Sequence, residues 1–428
     1  MAELSIGQKV NLTIGSQVTV LKELGRGGQG IVYLVDLGGA KMALKWYHTP
    51  PEDSFYKNLE HNVQAGTPSD AFIWPEYVTV KENGSYGYVM KLRPNGYYEF
   101  GTYLLALKTF QSYDAMLAAA MKICEGFRML HLKGYSYQDL NDGNFFIRPS
   151  DGDVLICDND NVMPQGQKSG IMGKARYMAP EIVAGGIPDK YSDRFSLSVI
   201  LFMLFFANHP FEGAKVVSCP CMTESFEKRF YGSEAVFIYD KDDPSNRPVR
   251  GIHKNVIKRW PKFPSLLKKT FVEQFSKAKL RSPSDRLIEQ EWEKIINKVR
   301  DELVICPHCH EETFVEIEAP NHNCINCDKQ IDISKRLKYE LREIILTPRT
   351  KLFLDRDNTP DAEVDFFPRD KRLLILRNLT QGNWTVDTPK GQLKVVKPGE
   401  FMPILNGLKI AFGTSLPHAP NAKGEIKA

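Results

Sequence analysis

Asp139 and, five positions on, Asn144 frame a loop, YSYQDLNDGNFFI, that runs into an apolar stretch. A carboxylate that can orient a hydroxyl and an amide oxygen that can hold a cation, at this spacing, have the layout of a phosphoryl-transfer loop. Such loops normally carry a lysine two places after the aspartate to hold the transferred phosphate, and here that place is Asn141. Either the loop is inactive or the charge comes from elsewhere.

The elements that must position this loop begin with VTVLKELGRGGQGIVYLVDL, where apolar and polar residues alternate on both sides of a glycine cluster. Two strands joined by a tight turn are expected. Gly25, Gly27 and Gly30 obey GxGxxG, with Val32 two places further on. A dinucleotide fold would need a helix after the glycines, and the β-branched, aromatic IVYLVDL reads as a strand. What fits is a hairpin loop whose backbone N–H groups approach phosphate oxygens because no side chain intervenes. Lys45, in KMALKWY, follows Gly30 by fifteen residues and is the expected cation for the nucleotide phosphates. Its expected partner is a glutamate on the next helix, DSFYKNLEHNVQAG, which offers Glu60, with Glu52 a competitor. SYGYVMKLRPNGYYEF then reads as a strand entering a Pro-Asn-Gly turn, where a hinge between two lobes would sit.

With these parts in order, the chain resembles the eukaryotic-type protein kinases over about residues 15 to 300. Asp158, at the end of VLIC, stands where the family has its metal-binding Asp-Phe-Gly, and Ala179-Pro180-Glu181 matches Ala-Pro-Glu. Asp193 matches the aspartate opening the long buried helix, and Arg286 the late arginine that pairs with Glu181. The resemblance implies ATP held by the glycine loop, Val32, Lys45 and Met90, and Mg²⁺ or Mn²⁺ held by Asn144 and Asp158. Asp139 would orient the attacking hydroxyl.

The departures carry information. His-Arg before the catalytic aspartate is Tyr137-Gln138, and Asp-Phe-Gly is Asp158-Asn159-Asp160. Without the arginine there is no acceptor for a phosphorylated activation segment, whose candidate hydroxyls are Ser169 and Tyr177. Asp160 is a further candidate metal contact, or a turn or capping residue. Asn159 and Tyr137 replace residues that normally pack as an apolar spine, so the active alignment must be held differently. The segment GKARYMAPE puts Lys174 where the family has a threonine that reaches the catalytic aspartate, so Lys174 can supply the charge that Asn141 lacks, with Arg176 a rival donor. More narrowly, Asp-Asn-Asp-Asn followed by a cysteine-paired segment and a β-rich tail is similar to the bacterial kinases associated with a PP2C-type phosphatase and a von Willebrand A protein, including those linked to tellurite resistance. That resemblance implies those two proteins as partners.

Chain length sets the wider frame. At 428 residues two to four domains are expected. The net charge of +4 is too small to argue for nucleic acid or a membrane surface. The longest apolar run, SLSVILFMLFFA, is shorter than the roughly 20 residues that span a bilayer, and the polar start MAELSIGQKV lacks a leader pattern, so a cytoplasmic protein is expected. CPHC at 306–309 and CINC at 324–327 place Cys306, Cys309, Cys324 and Cys327 as a closed, structural four-thiolate zinc site, with His308, His310 and His322 as neighbours. Short β-type runs from Glu343 onward suggest seven or eight strands. Some resemble the later strands of forkhead-associated (FHA) domains, although the Gly-Arg and Ser-x-x-His phosphate contacts of that family are absent.

The expected fold class is α+β: a bilobal kinase fold over 1–300 (N-lobe about 15–93, C-lobe about 94–300), a zinc ribbon over 301–335 and a small FHA-like β-sandwich over 336–417. An OB barrel is the alternative for that last domain, and 418–428 reads as a tail. An active Ser/Thr protein kinase, acting on itself or a partner protein, is the expected function. A nucleotide-binding pseudokinase scaffold and a small-molecule kinase are the alternatives; antibiotic and choline kinases share the Asp139 to Asn144 layout but lack Ala-Pro-Glu and its arginine.

Overall fold

Inward and outward side chains alternate through QVTVLKELGR and GIVYLVDL, and each folds as a strand, β2 (Gln17–Arg26) and β3 (Gly30–Leu37). With β1 (Lys9–Asn11), β4 (Ala40–Tyr47), β5 (Pro75–Val78) and β6 (Gly87–Lys91) they build an antiparallel sheet in the order β1-β2-β3-β4-β6-β5. The sheet therefore starts at Lys9, ahead of the expected residue 15. Val10, Val18, Val20, Ile31, Tyr33, Val35 and Leu44 share one small core. Helix α1 (Asp53–Ala65) buries Phe55 and Leu59 against Tyr47, Val78, Tyr86 and Tyr88. This computed structural model describes residues 3–49, 52–82, 84–168, 173–355, 358–420 and 422–428.

Beyond the turn at Gly96 and the short helix α2 (Phe100–Leu104), the second lobe is mainly helical, with short strand pairs among the helices. Ser112 Oγ accepts from Ala115 N at 2.9 Å and starts α3 (Tyr113–Leu132). A four-residue helix, α4 (Pro180–Val183), precedes α5 (Lys190–Phe206), which opens on an Asp189 capping box. The apolar run expected to be too short for a membrane is the interior half of α5, buried on every side from Phe195 to Phe206. Among the described residues no helix is long and apolar enough to cross a membrane.

The helix Glu289–Asp301 closes this lobe and leads into a hairpin, Leu303–Ile305 with Glu312–Phe314, that carries the first CxxC pair at its turn. Phe314 stacks between Tyr113 and Phe263, both 5.1 Å away, so the hairpin is packed on α3. Among the described residues ten strands follow between Arg336 and Lys427, in a six-stranded and a four-stranded sheet around a core that includes Trp384, Phe412 and Leu337. Two sheets rather than one closed five-stranded barrel argue against the OB alternative. The strands Arg336–Tyr339 and Phe401–Pro403 fall outside the expected seven or eight runs.

One expectation is corrected outright. Residues 418–428 are not a tail: Lys423–Lys427 is a strand inside the six-stranded sheet, paired with Arg336–Tyr339 on one side and Lys409–Ala411 on the other. The five residues KGEIK are too short to announce a strand, and it is the two flanking partners that fix it. Ile426 is 0% exposed. Ile426→Ala is expected to destabilise the C-terminal β-sheets by about 2–5 kcal/mol, read as a lower urea midpoint by circular dichroism; an unchanged midpoint would return this segment to a tail.

Candidate functional site

The loop around Asp139 is held from below. The short strand Tyr135–Ser136 pairs with Met163–Pro164, and the chain then turns through Gln138 at φ 69°, a left-handed conformation that costs a non-glycine residue about 1–3 kcal/mol. Asp193, buried in the first turn of α5, offsets that strain by accepting from Tyr137 N at 2.7 Å and Gln138 N at 3.3 Å. His131 bridges Asp193 Oδ2 at 3.1 Å and Glu289 Oε1 at 3.0 Å, and Arg194 donates to the same Glu289 oxygen at 2.9 Å.

Above this support the backbone carbonyl of Asp139 accepts from Asn144 Nδ2 at 2.8 Å and Asn141 Nδ2 at 3.1 Å. The Asn144 amide is thus turned so that, among the described residues, no group donates to its Oδ1. Asn161 Nδ2 lies 3.4 Å from Asp139 Oδ2. Burial, and then the charge of Asp158, push the Asp139 carboxyl up to about 6, against the lowering contributions of Asn141 and Lys174. Asp158 itself sits at φ 60°, the second left-handed non-glycine residue at the site.

Across the lobes, Lys45 Nζ reaches Asp158 Oδ1, Asp160 Oδ2 at 2.7 Å and Gln29 Oε1 at 2.9 Å. Tyr47 OH donates to the same Asp160 oxygen at 2.6 Å. Burial alone would depress the lysine, but the charges of Asp160 and Asp158 raise it above its usual range. The Asp158 carboxyl is raised, by burial first and by Asp160 second. The expected Lys45–Glu60 pair is not formed. The buried stripe of α1 is Phe55, Asn58, Leu59 and Asn62, which leaves Glu60 on the flank, and no hydrogen bond or ion pair joins it to Lys45.

The residues that replace the apolar spine work by hydrogen bonds. Tyr137 OH donates to the Cys157 carbonyl and, at 3.3 Å, to that of Asp158. Asn159, fully buried, donates to Ile73 O at 2.7 Å and Ile156 O at 2.9 Å. From α1, Asn58 and Asn62 both donate to Val162 O, at 2.8 and 3.0 Å. Gln29, Tyr47, Asn58, Asn62 and Asn161 were not singled out in the sequence. Tyr47 was within reach, since residues two apart on a strand share a face, and Asn58 and Asn62 are four apart on a helix; nothing local marks Gln29 or Asn161.

Strand register places the expected nucleotide-binding residues together. Val32 pairs with Lys45 in β3–β4, and Ala43 with Met90 in β4–β6, so Val32, Ala43, Lys45 and Met90 share one face of the sheet. Gly25 and Gly27 are exposed, and a Cβ would meet nothing within 4 Å at Gly25 and only Gly30 O, at 4.0 Å, at Gly27. Protein packing does not demand glycine there, and the loop's surface is left clear for backbone contact with phosphate. Gly30 differs: its Cβ would lie 2.2 Å from Trp46 O, so strand approach demands it.

On the other side of Asp139, Lys174 Nζ donates to Asn141 Oδ1 at 3.3 Å. The segment carrying Lys174 is pinned by Ser196 Oγ to Tyr177 O at 2.7 Å, by His209 Nε2 to Arg176 O at 2.8 Å, and by the Arg286–Glu181 pair at 2.7 and 2.8 Å. Arg176, the rival donor, is committed to Glu212 through contacts of 2.5 and 2.9 Å. Ser169 lies outside the described residues.

Cys306, Cys309, Cys324 and Cys327 bring their four sulfurs within 4.8 Å of one another. Cys306 to Cys327 and Cys309 to Cys324 are both 3.7 Å, close to the roughly 3.8 Å edge of a tetrahedron with metal–sulfur bonds of about 2.3 Å. His308 N and Asn326 N each point at a sulfur at 3.4 Å. His308 and His322 instead contact the Gln330 and Ile317 carbonyls.

A two-lobed fold with a glycine hairpin, a buried lysine and two cleft carboxylates defines the class. The protein kinase domain model matches residues 18–274, more than half of the chain, and the chain belongs to that family. It is 30% identical over 290 residues to protein kinase C delta type of Mus musculus, covering 62% of this chain and 42% of that one. Protein kinase YegI of Escherichia coli K12 is 26% identical, covering 49% and 35%, and serine/threonine-protein kinase Pkn1 of Myxococcus xanthus is 28% identical, covering 45% and 29%. The chain thus spans less than half the length of each of these relatives. Among solved structures, the PknI kinase domain of Mycobacterium tuberculosis, as a double mutant, aligns at 17% identity and a TM-score of 0.47 over 70% of this chain and 99% of that one.

The support beneath the loop predicts a pH response. Burial opposes the charge on His131, but its hydrogen bonds to Asp193 and Glu289 raise it to about 9, whereas His131 and Arg194 hold Glu289 down at about 2 despite its burial. A raised histidine contributes stability that is complete below the unfolded value near 6.5 and is lost as pH climbs through 9. The Glu289 contribution is lost only as pH falls below about 4.5 toward 2. Thermal midpoints should therefore fall from pH 6.5 to 9.5 in the parent, and His131→Asn should flatten that slope; parallel profiles would remove His131 from the support.

Proposed function

We propose that the chain is an ATP-dependent protein kinase that transfers the γ-phosphate to Ser/Thr hydroxyls of itself or a partner protein, with Lys174 supplying the charge that Asn141 lacks. The observation that carries the reading is the Lys174–Asn141 contact of 3.3 Å beside Asp139, in a cleft that also holds Lys45, Asp158 and Asn144. The serine/threonine class is supported by the similarity to Pkn1 of Myxococcus xanthus, a serine/threonine-protein kinase.

In this reading the glycine loop and Lys45 bind and orient the triphosphate, against the face formed by Val32, Ala43 and Met90. Mg²⁺ or Mn²⁺, held by the Asp158 carboxylate and Asn144 Oδ1, would neutralise charge on the phosphates. The hydroxyl oxygen of the substrate bonds to the γ-phosphorus in line with the breaking bond to the β-phosphate oxygen; ADP leaves, and Asp139 takes the hydroxyl proton. Lys174 places its ammonium where negative charge gathers in the transition state. The four-thiolate cluster is read as structural zinc, and the β-sandwich after it as an FHA-like interaction module without phosphopeptide contacts. The PP2C-type phosphatase and von Willebrand A partners, and a cytoplasmic location, rest on the family resemblance and on the thiolate chemistry.

A radiolabelled-ATP assay on the purified chain tests the function. Labelling should require Mg²⁺ or Mn²⁺ and vanish in Asp139→Ala; labelling that persists there would reject the assignment. Lys174→Ala should lower kcat by about 10²- to 10³-fold with little change in ATP affinity, and adding Asn141→Lys should restore part of the rate. Turnover of Lys174→Ala at the parent rate would show that the charge has another source.

For the metal, elemental analysis should find one zinc per chain. Cys306→Ser should lower that stoichiometry and the melting temperature of the region beyond residue 300, because so small a knuckle has little core without its ion. Metal-free protein, purified without chelators and equally stable, would count against the site.

A further inference from the structure

The helix glutamate expected to hold Lys45 is absent from its partners, and a different carboxylate occupies that place. Asp160 is 0% exposed and accepts through one oxygen from both Lys45 Nζ at 2.7 Å and Tyr47 OH at 2.6 Å. Tyr47 lies two residues beyond Lys45 on β4, so both donors come from the same sheet face and converge on Asp160 Oδ2. Asp158 stands two residues earlier in the same turn, and its side chain is 33% exposed toward the cleft. The two carboxylates therefore divide the work: Asp158 faces the nucleotide side, and Asp160 lies behind the lysine.

Among the described residues, the hydrogen bonds from helix α1 to this turn come from neutral groups, Asn58 and Asn62 donating to the Val162 carbonyl. We infer that Asp160 is the positioning residue for Lys45 and that the lysine's placement is independent of any acidic contact from α1. In a helix-anchored pair, the lysine loses its carboxylate whenever the helix swings away. Here the anchor is built into the turn that carries Asp158, so movement of α1 does not by itself unpair Lys45. Without the Asp160 carboxylate Lys45 keeps Gln29 and the part-exposed Asp158 but has lost its fully buried counter-charge, so the ammonium should shift toward the cleft mouth.

The inference rests on the proposed kinase reading only for its consequence in catalysis; the anchor can be tested without nucleotide. The full chain, free of ATP and metal additives, would be acylated with limiting acetic anhydride at pH 8, with Lys45 labelling measured by peptide mass spectrometry against Lys41, an exposed lysine on the same strand. Asp160→Asn should accelerate Lys45 labelling at least 10-fold, Tyr47→Phe about threefold, and Glu60→Gln less than twofold. Circular dichroism would establish that each variant is folded, and if Asp160→Asn is not, Tyr47→Phe carries the test. In a second measurement, Asp160→Asn should weaken binding of a non-hydrolysable ATP analogue about 10-fold by calorimetry. Parent-like labelling in the folded Asp160→Asn and Tyr47→Phe proteins would overturn the inference, as would acceleration by Glu60→Gln. An increased Mg²⁺ requirement for analogue binding in Asp160→Asn, with Lys45 labelling unchanged, would make Asp160 a metal ligand instead and also overturn it. Labelling that follows the expected order in a chain without kinase activity would leave the anchor standing and reject the proposed function.

Discussion

A carboxylate buried in the first turn of α5 underlies the whole arrangement. Asp193 accepts from two consecutive amides, those of Tyr137 and Gln138, and so holds the backbone in the left-handed turn that aims Asp139 at the cleft. The carboxylate is itself fixed by His131, which is fixed in turn by Glu289 on the last helix of the lobe. One buried ionic chain therefore links the foot of α3, the start of α5 and the helix Glu289–Asp301 to the catalytic loop. Such a network is costly if half satisfied and rigid when complete. Here it is complete on the Asp193 side, and the strained loop depends on it.

Above that support, contacts that kinases of the resembled type make with apolar side chains are made by amides and a phenol. Asn159 holds the Asp158 turn to the Ile73 and Ile156 carbonyls, and Tyr137 ties the Asp139 loop to Cys157 and Asp158. Hydrogen bonds fix both distance and direction, whereas the hydrophobic effect is non-directional. The turn from Asp158 to Val162 is gripped from three sides, by Tyr137, by the segment at Ile73 just ahead of β5 and by α1. The two unusual triplets are thus parts of one solution rather than separate losses.

The region beyond residue 300 is fastened to the same scaffold. Arg342 makes two bonds to the buried Asp301 at 2.7 and 2.6 Å, at the end of the helix that begins with Glu289. Arg300 stacks over Phe353 at 3.8 Å and reaches Asn358, whose amide returns to Ala118 O in α3. Ile345 packs into the cluster of Val304, Val315, Ile331 and the cysteines. The cysteine knuckle and the first strands of the C-terminal sheets therefore rest on the back of α3 and on the helix Glu289–Asp301, the two elements that also carry His131 and Glu289.

Local order in the sequence was enough to determine the glycine hairpin, the strand carrying Lys45, the buried helix α5 and the CxxC turns. Each rests on spacing within a few residues, on a period of 2 or 3.6, or on a motif whose parts stand in fixed order. Partner choice across the fold is a different matter. Lys45 and Asp160 are 115 residues apart, and nothing in either neighbourhood says that Asp160 rather than Glu60 would be the one buried. That was decided by the rotation of α1, whose inner stripe is set by Phe55 and Leu59 and which turns Glu60 to the flank. The last strand likewise owes its place to Arg336–Tyr339 and Lys409–Ala411, one far upstream and one a short loop away. Periodicity reports which face of an element is covered; what covers it is settled only when distant segments compete for the same buried surface and the same unpaired hydrogen-bonding groups.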